Sequence, residues 1–214
     1  MTRFITGCLV LFTTLSMAQE TQENFLIEKG TWSLEGDFSI TTEKVEDLII
    51  DDVVNDEFNF IILPKIGYAV SDNLLLGLGL GYEYSEGSFK SQEPSFDNEV
   101  ESNAFIVFSY IKKFIPVGKK LAFHIQGEIN YSQGNSDFNS NGFESKSKIK
   151  TFFIGARPGI TYGLSKNLLI HANFGSLGYN NTRRESDGEN TFENNFFEFN
   201  LRSSSLRFGF AVLL

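Results

Sequence analysis

The chain has 214 residues, of which 41% are hydrophobic and 21% charged, fractions ordinary for a folded protein and incompatible with wholesale disorder. With 27 acidic against 18 basic residues the net charge is -9, which excludes nucleic acid as a partner, because binding phosphate needs clustered Lys and Arg. One Cys excludes a disulfide framework and a thiolate metal cage.

Met1 to Ala18 reads as an export signal. Arg3 supplies the positive start, Phe4 to Leu15 the apolar stretch, and Ser16-Met17-Ala18 a small-x-small cleavage site. The apolar stretch is shorter than the ~20 residues a membrane-spanning helix requires. Cleavage before Gln19 removes Cys8 with the signal. Residues 19–29 are expected to be an N-terminal periplasmic segment and 30–214 one β domain. No apolar stretch after Ala18 is long enough for a spanning helix, so the mature chain is either soluble or crosses a membrane as strands.

Period two dominates the β domain. In Leu74 to Tyr84 every even position is large and apolar or aromatic, and Gly77, Gly79, Gly81 and Glu83 alternate with them. In Leu121 to Ser132 one face is Leu121, Phe123, Ile125, Gly127, Ile129 and Tyr131; the other is Ala122, His124, Gln126, Glu128, Asn130 and Ser132. A helix would need apolar residues three and four apart. The alternation predicts eight strands, at 30–41, 57–70, 74–86, 100–115, 121–133, 148–164, 168–179 and 194–214. In the fourth, Phe105 and Val107 compete with Ile106, Phe108 and Tyr110 for the apolar face. The eighth changes phase near Ser203-Ser204-Ser205, where a bulge is expected.

The intervening segments alternate long and short, with lengths 15, 3, 13, 5, 14, 3 and 14. In an antiparallel meander this puts all long loops at one end and all tight turns at the other, the polarity of transmembrane barrels. The four long segments hold fifteen acidic and five basic residues. Glu46, Asp47, Asp51 and Asp52 in the first are the candidate surface-interaction residues. There the apolar Ile49, Ile50, Val53 and Val54 favour a paired extension that rises beyond a membrane. A weak repeat, Ile66 to Leu75 against Ile160 to Leu169, carries a Ser-x-Asn turn and places Tyr68 and Tyr162 at the turn-side rim.

With the large apolar residues outside, the inner face would hold Glu35, Asp37, Lys65, Glu83, Glu128, Arg157, His171 and Arg207, with His124, Gln126, Asn130, Thr161 and Asn173 between them. Buried in a soluble protein, such charges cost several kcal/mol each unless paired. In a bilayer, lipid takes the apolar face and the charges pair inside. Glu35, Glu83 and Glu128 are expected to meet Lys65, Arg157 and Arg207 in a filled lumen, since eight strands leave just enough interior for side chains. Leu206, Phe208, Phe210, Val212 and Leu214 continue the apolar face to the last residue, as a strand that pairs with the first would require.

Three stretches carry a resemblance: Pro64-Lys65-Ile66-Gly67-Tyr68 through Ser71-Asp72-Asn73-Leu74-Leu75-Leu76-Gly77, the alternating Leu/Gly/Tyr strand, and Leu206-Arg207-Phe208-Gly209-Phe210. In them the chain resembles the eight-stranded outer-membrane β-barrel family of Gram-negative envelopes, the OmpX-like and OmpA-barrel-like proteins. The resemblance implies an all-β, eight-stranded antiparallel up-and-down transmembrane β-barrel in the outer membrane, with long loops extracellular and short turns periplasmic. The implied partners are outer-membrane lipid and lipopolysaccharide, the barrel-insertion machinery, and an extracellular protein reached through the long loops. The family usually ends in Phe; this chain ends in Leu214. No peptidoglycan-binding domain is expected after the barrel.

Catalytic and cofactor chemistry finds no pattern. His124 and His171 have no third ligand at metal-site spacing, no G-x-S-x-G elbow occurs, and Gly77-x-Gly79-x-Gly81 is not followed by a helix. The expectation is a non-enzymatic barrel without cofactor or metal. A small channel or porin and a soluble lipocalin-like ligand-binding barrel are the alternatives.

Overall fold

A computed structural model describes residues 25–47, 53–92, 95–186, 191–201 and 206–214. The export signal at 1–18, Asp51 and Asp52, and the expected bulge at 203–205 lie outside the described residues. The described residues form ten strands: β1 Trp32–Asp47, β2 Val53–Ser71, β3 Leu74–Gln92, β4 Ser95–Pro116, β5 Leu121–Ser140, β6 Phe143–Gly163, β7 Leu168–Phe174, β8 Ser176–Ser186, β9 Thr191–Asn200 and β10 Leu206–Leu213.

They build eight staves. β1 to β6 pair in sequence, each antiparallel to the next. β7 and β8 are one stave broken at Gly175, where φ is 65°. Both halves pair with β6, at its turn-side end and at its far end respectively. β9 pairs with β8 and β10 with β7. Closure comes from β10 on β1, with register from Ser33↔Leu213 to Phe38↔Phe208. The result is an up-and-down antiparallel barrel of eight staves.

The long loops are much shorter than the sequence suggests. β4 and β6 run for 22 and 21 residues. Only 93–94 separate β3 from β4, and only Asn141 and Gly142, with φ of 49° and 86°, separate β5 from β6. That left-handed pair is the geometry of a tight hairpin. Most of the residues expected in loops are therefore paired strand, including Glu46 and Asp47 of β1, opposite Val54 and Val53 of β2. The reason is physical. Alternation marks a strand only where its two faces meet different surroundings, and a ladder that continues with water on both sides loses the pattern but keeps its hydrogen bonds.

Between the rims the two faces separate cleanly. Leu76, Leu78, Leu80, Phe123, Ile125, Ile154 and Phe210 all point outward and are exposed, Leu78 at 65%. In β4 the outward set is Phe105, Val107, Ile111 and Ile115, while Ile106, Phe108, Tyr110, Lys112 and Phe114 turn in. Neighbouring glycines explain that choice. Gly77, Gly79 and Gly81 of β3 stand opposite Tyr110, Phe108 and Ile106 of β4, and a Cβ on Gly77 or Gly79 would collide with the tyrosine or phenylalanine ring. Missing side chains on one stave make room for rings on the next.

Candidate functional site: the barrel interior

The interior has three levels. At the turn-side end, residues 25–31 cross the mouth. The Phe25 amide donates to the Gly118 carbonyl at 2.8 Å, Ile27 and Asn73 exchange backbone and side-chain hydrogen bonds at 2.9 Å, and the Gly30 amide donates to the Ala69 carbonyl at 2.8 Å. Phe25 and Ile27 are buried with Leu75, Phe114, Ala122, Leu169 and Leu213. The Phe25 and Phe114 rings lie 5.6 Å apart. The expected N-terminal segment thus contributes an apolar stopper to the barrel's end.

Above the stopper lies a buried polar network. Lys65 Nζ donates to Asp37 Oδ2 at 2.7 Å and stands 3.6 Å from Glu35 Oε2, while Lys112 Nζ donates to the same Glu35 oxygen at 2.5 Å. The Tyr110 hydroxyl donates to Glu35 Oε1 at 2.9 Å, and its ring lies 5.3 Å from Lys65 Nζ. His171 Nε2 and Asp37 Oδ1 are 2.6 Å apart, and His124 bonds Thr161 and Asn173 through its two ring nitrogens. Arg157 Nε donates to Glu128 Oε1 at 2.8 Å, and Gln126 Nε2 donates to Glu128 Oε2 at 3.0 Å.

Of the eight inner-face residues named from the sequence, Glu35, Asp37, Lys65, Glu128, Arg157 and His171 are buried here. The anticipated partnerships come out differently in detail. Glu35 takes Lys112 as well as Lys65, and Glu83 accepts from Asn59 Nδ2 at 3.2 Å rather than from a cation. Arg207 shares a small cavity of about 20 Å³ with Asp37, Gln126, Glu128 and Asn130. Lys112 and Tyr110 were hidden by the ambiguous register of β4. Had the glycines of β3 been matched to bulky neighbours, that register was open to inference.

The third level is a cup at the end with the extended strands, about 880 Å³ in volume, with Arg157 and Arg207 among its lining residues. One inward row crosses seven staves in register: Thr41, Asn59, Ser85, Ser102, Ser136, Ser147 and Ser186. Ser102 donates to Ser136 at 2.8 Å and the Ser147 and Ser186 hydroxyls are 3.1 Å apart. Beyond this girdle Glu43 and Glu57 face one another across β1 and β2. On the outer face of the extensions Lys150 Nζ meets Glu185 Oε1 at 3.0 Å, and this hydrogen bond holds the Glu185 carboxyl below its usual range. Among the described residues no group of three or more His, Cys, Asp or Glu side chains is arranged to hold a metal ion.

No family model matches the chain, and no curated protein does. Among solved structures it is similar to a major outer membrane protein from Thermus thermophilus, at 10% identity and a TM-score of 0.46, over 86% of this chain and 99% of that one. It is also similar to Neisserial surface protein A, at 12% identity and 0.36, over 88% and 98%. A third similarity is to the transport unit of the autotransporter AIDA-I from Escherichia coli, at 8% and 0.38, over 94% and 95%. At these values the similarities carry no argument about activity. What the chain does must be read from its own geometry.

Proposed function

We propose that this chain is an integral outer-membrane β-barrel with a structural or surface-interaction role, non-catalytic and closed to solute flow. The observation that carries the reading is the inversion of the faces. Apolar side chains such as Leu78, Leu80, Phe105 and Phe210 cover the outside, while Lys65, Lys112, Glu35 and Asp37 are buried inside. A barrel surrounded by water would have the reverse arrangement, and a belt of exposed leucine and phenylalanine around a closed barrel is a surface for lipid. Closure to solutes is supported by the Phe25 and Ile27 stopper beneath a paired ionic layer.

In this reading residues 1–18 direct export, the tight turns face the periplasm, and the extended hairpins stand outside the cell above lipopolysaccharide. Assembly would pass through the barrel-insertion machinery. The hairpin of β1 and β2 lifts Glu43, Lys44, Asp56 and Glu57 along a paired ladder. The row Glu86, Glu101 and Asp137 crosses β3, β4 and β5 in register. These acidic extensions are the surface offered to an extracellular protein. Envelope fractionation with gel migration before and after boiling tests the proposal. An outer-membrane band that shifts on boiling supports it, and a soluble protein without a shift overturns it. Conductance in planar bilayers tests closure: single-channel steps from the full mature chain would make it a small channel.

A further inference from the structure

One cation of the lumen has no partner. Lys65, Lys112 and Arg157 are each bonded to a carboxylate. Arg207 makes no hydrogen bond or ion pair with any described residue, although it stands half-buried between the small cavity and the cup and lines both. The charges that act on it are the like charge of Arg157 and the carboxylates of Glu128, Asp37 and Glu83. Of these, Glu128 is taken by Arg157, Asp37 by Lys65 and Glu83 by the Asn59 amide. Arg157 uses Nε on Glu128 and Nη1 on the Gly175 carbonyl, and its other terminal nitrogen has no partner among the described residues. The floor of the cup is therefore a set of unused guanidinium donors.

The mouth carries the opposite sign. Ser39 Oγ donates to the Leu206 carbonyl, which sets Ser39 beside the residue before Arg207. Glu43 lies four residues further along β1, about 13 Å of strand, and stands opposite Glu57 of β2. Both glutamates line the cup, and among the described residues neither has Lys or Arg at ion-pair distance; Glu57 accepts from Asn55 Nδ2 at 3.3 Å. Between floor and mouth, Thr41, Asn59 and Ser85 offer hydroxyl and amide groups that both donate and accept. The cup is thus polarised along its depth, with donors of positive charge below and acceptors of negative charge above.

We propose that the cup binds a short peptide with free termini, its carboxylate against Arg207 and Arg157 and its ammonium between Glu43 and Glu57. An extended chain covers ~3.3–3.6 Å per residue, so about four residues join floor to mouth. Guanidinium bonds to a carboxylate are charge-assisted and can be bidentate. The peptide's own amides exchange hydrogen bonds with Thr41, Asn59 and Ser85. The volume of about 880 Å³ is within the range of small-molecule sites. A simple anion meets the carboxylates of the mouth, a simple cation meets the guanidinium groups of the floor, and a single amino acid cannot reach both. The proposal rests on the cup alone and does not depend on which side of a membrane it faces.

Competition against radiolabelled tetraglycine, by equilibrium dialysis of the full mature chain in detergent micelles at pH 7, tests it. Tetraglycine should bind saturably and at least tenfold more tightly than its C-terminal amide, its N-acetyl derivative or glycine. Arg207→Gln should erase the preference over the amide and keep the preference over the N-acetyl form. The double substitution Glu43→Gln and Glu57→Gln should do the converse. Migration on boiling should stay unchanged in the Arg207 variant, since that side chain ties no stave to another. Absence of saturable binding overturns the proposal, as does equal binding of any of the three competitors or an Arg207→Gln protein that still prefers the free carboxylate. The ranking of competitors uses the unaltered protein, so it decides the matter even where a variant does not fold.

Discussion

The lower and upper halves of the interior are built from the same kinds of side chain to opposite ends. Below, each carboxylate has a partner of opposite sign: Glu35 with Lys65 and Lys112, Asp37 with Lys65, Glu128 with Arg157. In the cup, above Arg157 and Arg207 on its floor, Glu57 and Glu83 border open space and accept from the amides of Asn55 and Asn59. Charge density alone does not distinguish a structural interior from a binding surface. Matching does. Where charges cancel one another they tie staves together across the lumen, and where they do not the wall rests on its backbone ladders and hydroxyl pairs.

Breaking the match should show the contrast most strongly. Lys65→Met leaves Asp37 buried with His171 and the Asn173 amide but without its lysine, and loss of one partner of a buried pair costs about 3–5 kcal/mol. Urea unfolding in lipid vesicles, followed by fluorescence of the single Trp, Trp32, measures it. Glu43→Gln in the cup should be neutral or slightly stabilising on the same assay, because it removes a repulsion. Equal destabilisation by both would mean that the halves do not differ.

The wall supplies the next largest effect. Leu78→Arg should cost about 2–4 kcal/mol near the midplane of a bilayer. Gly79→Val, one residue on, should cost about 1–3 kcal/mol through crowding of the Phe108 ring. Adding Phe108→Ala to Gly79→Val should recover part of that loss and should do nothing for Leu78→Arg.

Ser102→Ala removes one hydrogen bond of the girdle and should cost about 0.5–1.5 kcal/mol by urea unfolding. The smallest effect belongs to the outer face of the extensions. The Glu185 carboxyl is held low by its hydrogen bond from Lys150, so the pair favours the folded state above the ordinary carboxylate range and loses that contribution as pH falls through the folded pKa. Lys150→Met should raise the Glu185 pKa in an NMR titration while leaving unfolding at neutral pH nearly unchanged, since exposed pairs contribute little.

The barrel's faces were legible in the sequence where lipid and lumen impose different demands on alternate residues. Leu76, Leu78 and Leu80, or Phe208, Phe210 and Val212, declare a face because their neighbours are small or polar. Legibility failed at β4, where Phe105 to Phe108 are apolar on both sides, and the tie is broken only by Gly77 and Gly79 on the adjacent stave. A single strand does not contain that information. Lys112 was missed for the same reason. The girdle was illegible because Ser136, Ser147 and Ser186 fell in expected loops, and no row shows until seven staves are laid in register. Phe25 and Ile27 gave no period at all, being too few to show one.

The seat of the stopper has a bearing on how the wall is put together. Its hydrogen bonds run to Ala69, Asp72, Asn73 and Gly118, all in the first half or so of the sequence. Closure, by contrast, joins Ser33 to Leu213 at opposite ends of the chain, the kind of distant pairing that forms slowly. The anchoring points for the N-terminal segment are therefore complete once β2 to β5 are laid side by side, before the last stave arrives. An assembling sheet of this kind carries its own bung, tied on by hydrogen bonds before Leu169 of β7 and Leu213 of β10 complete its apolar seat.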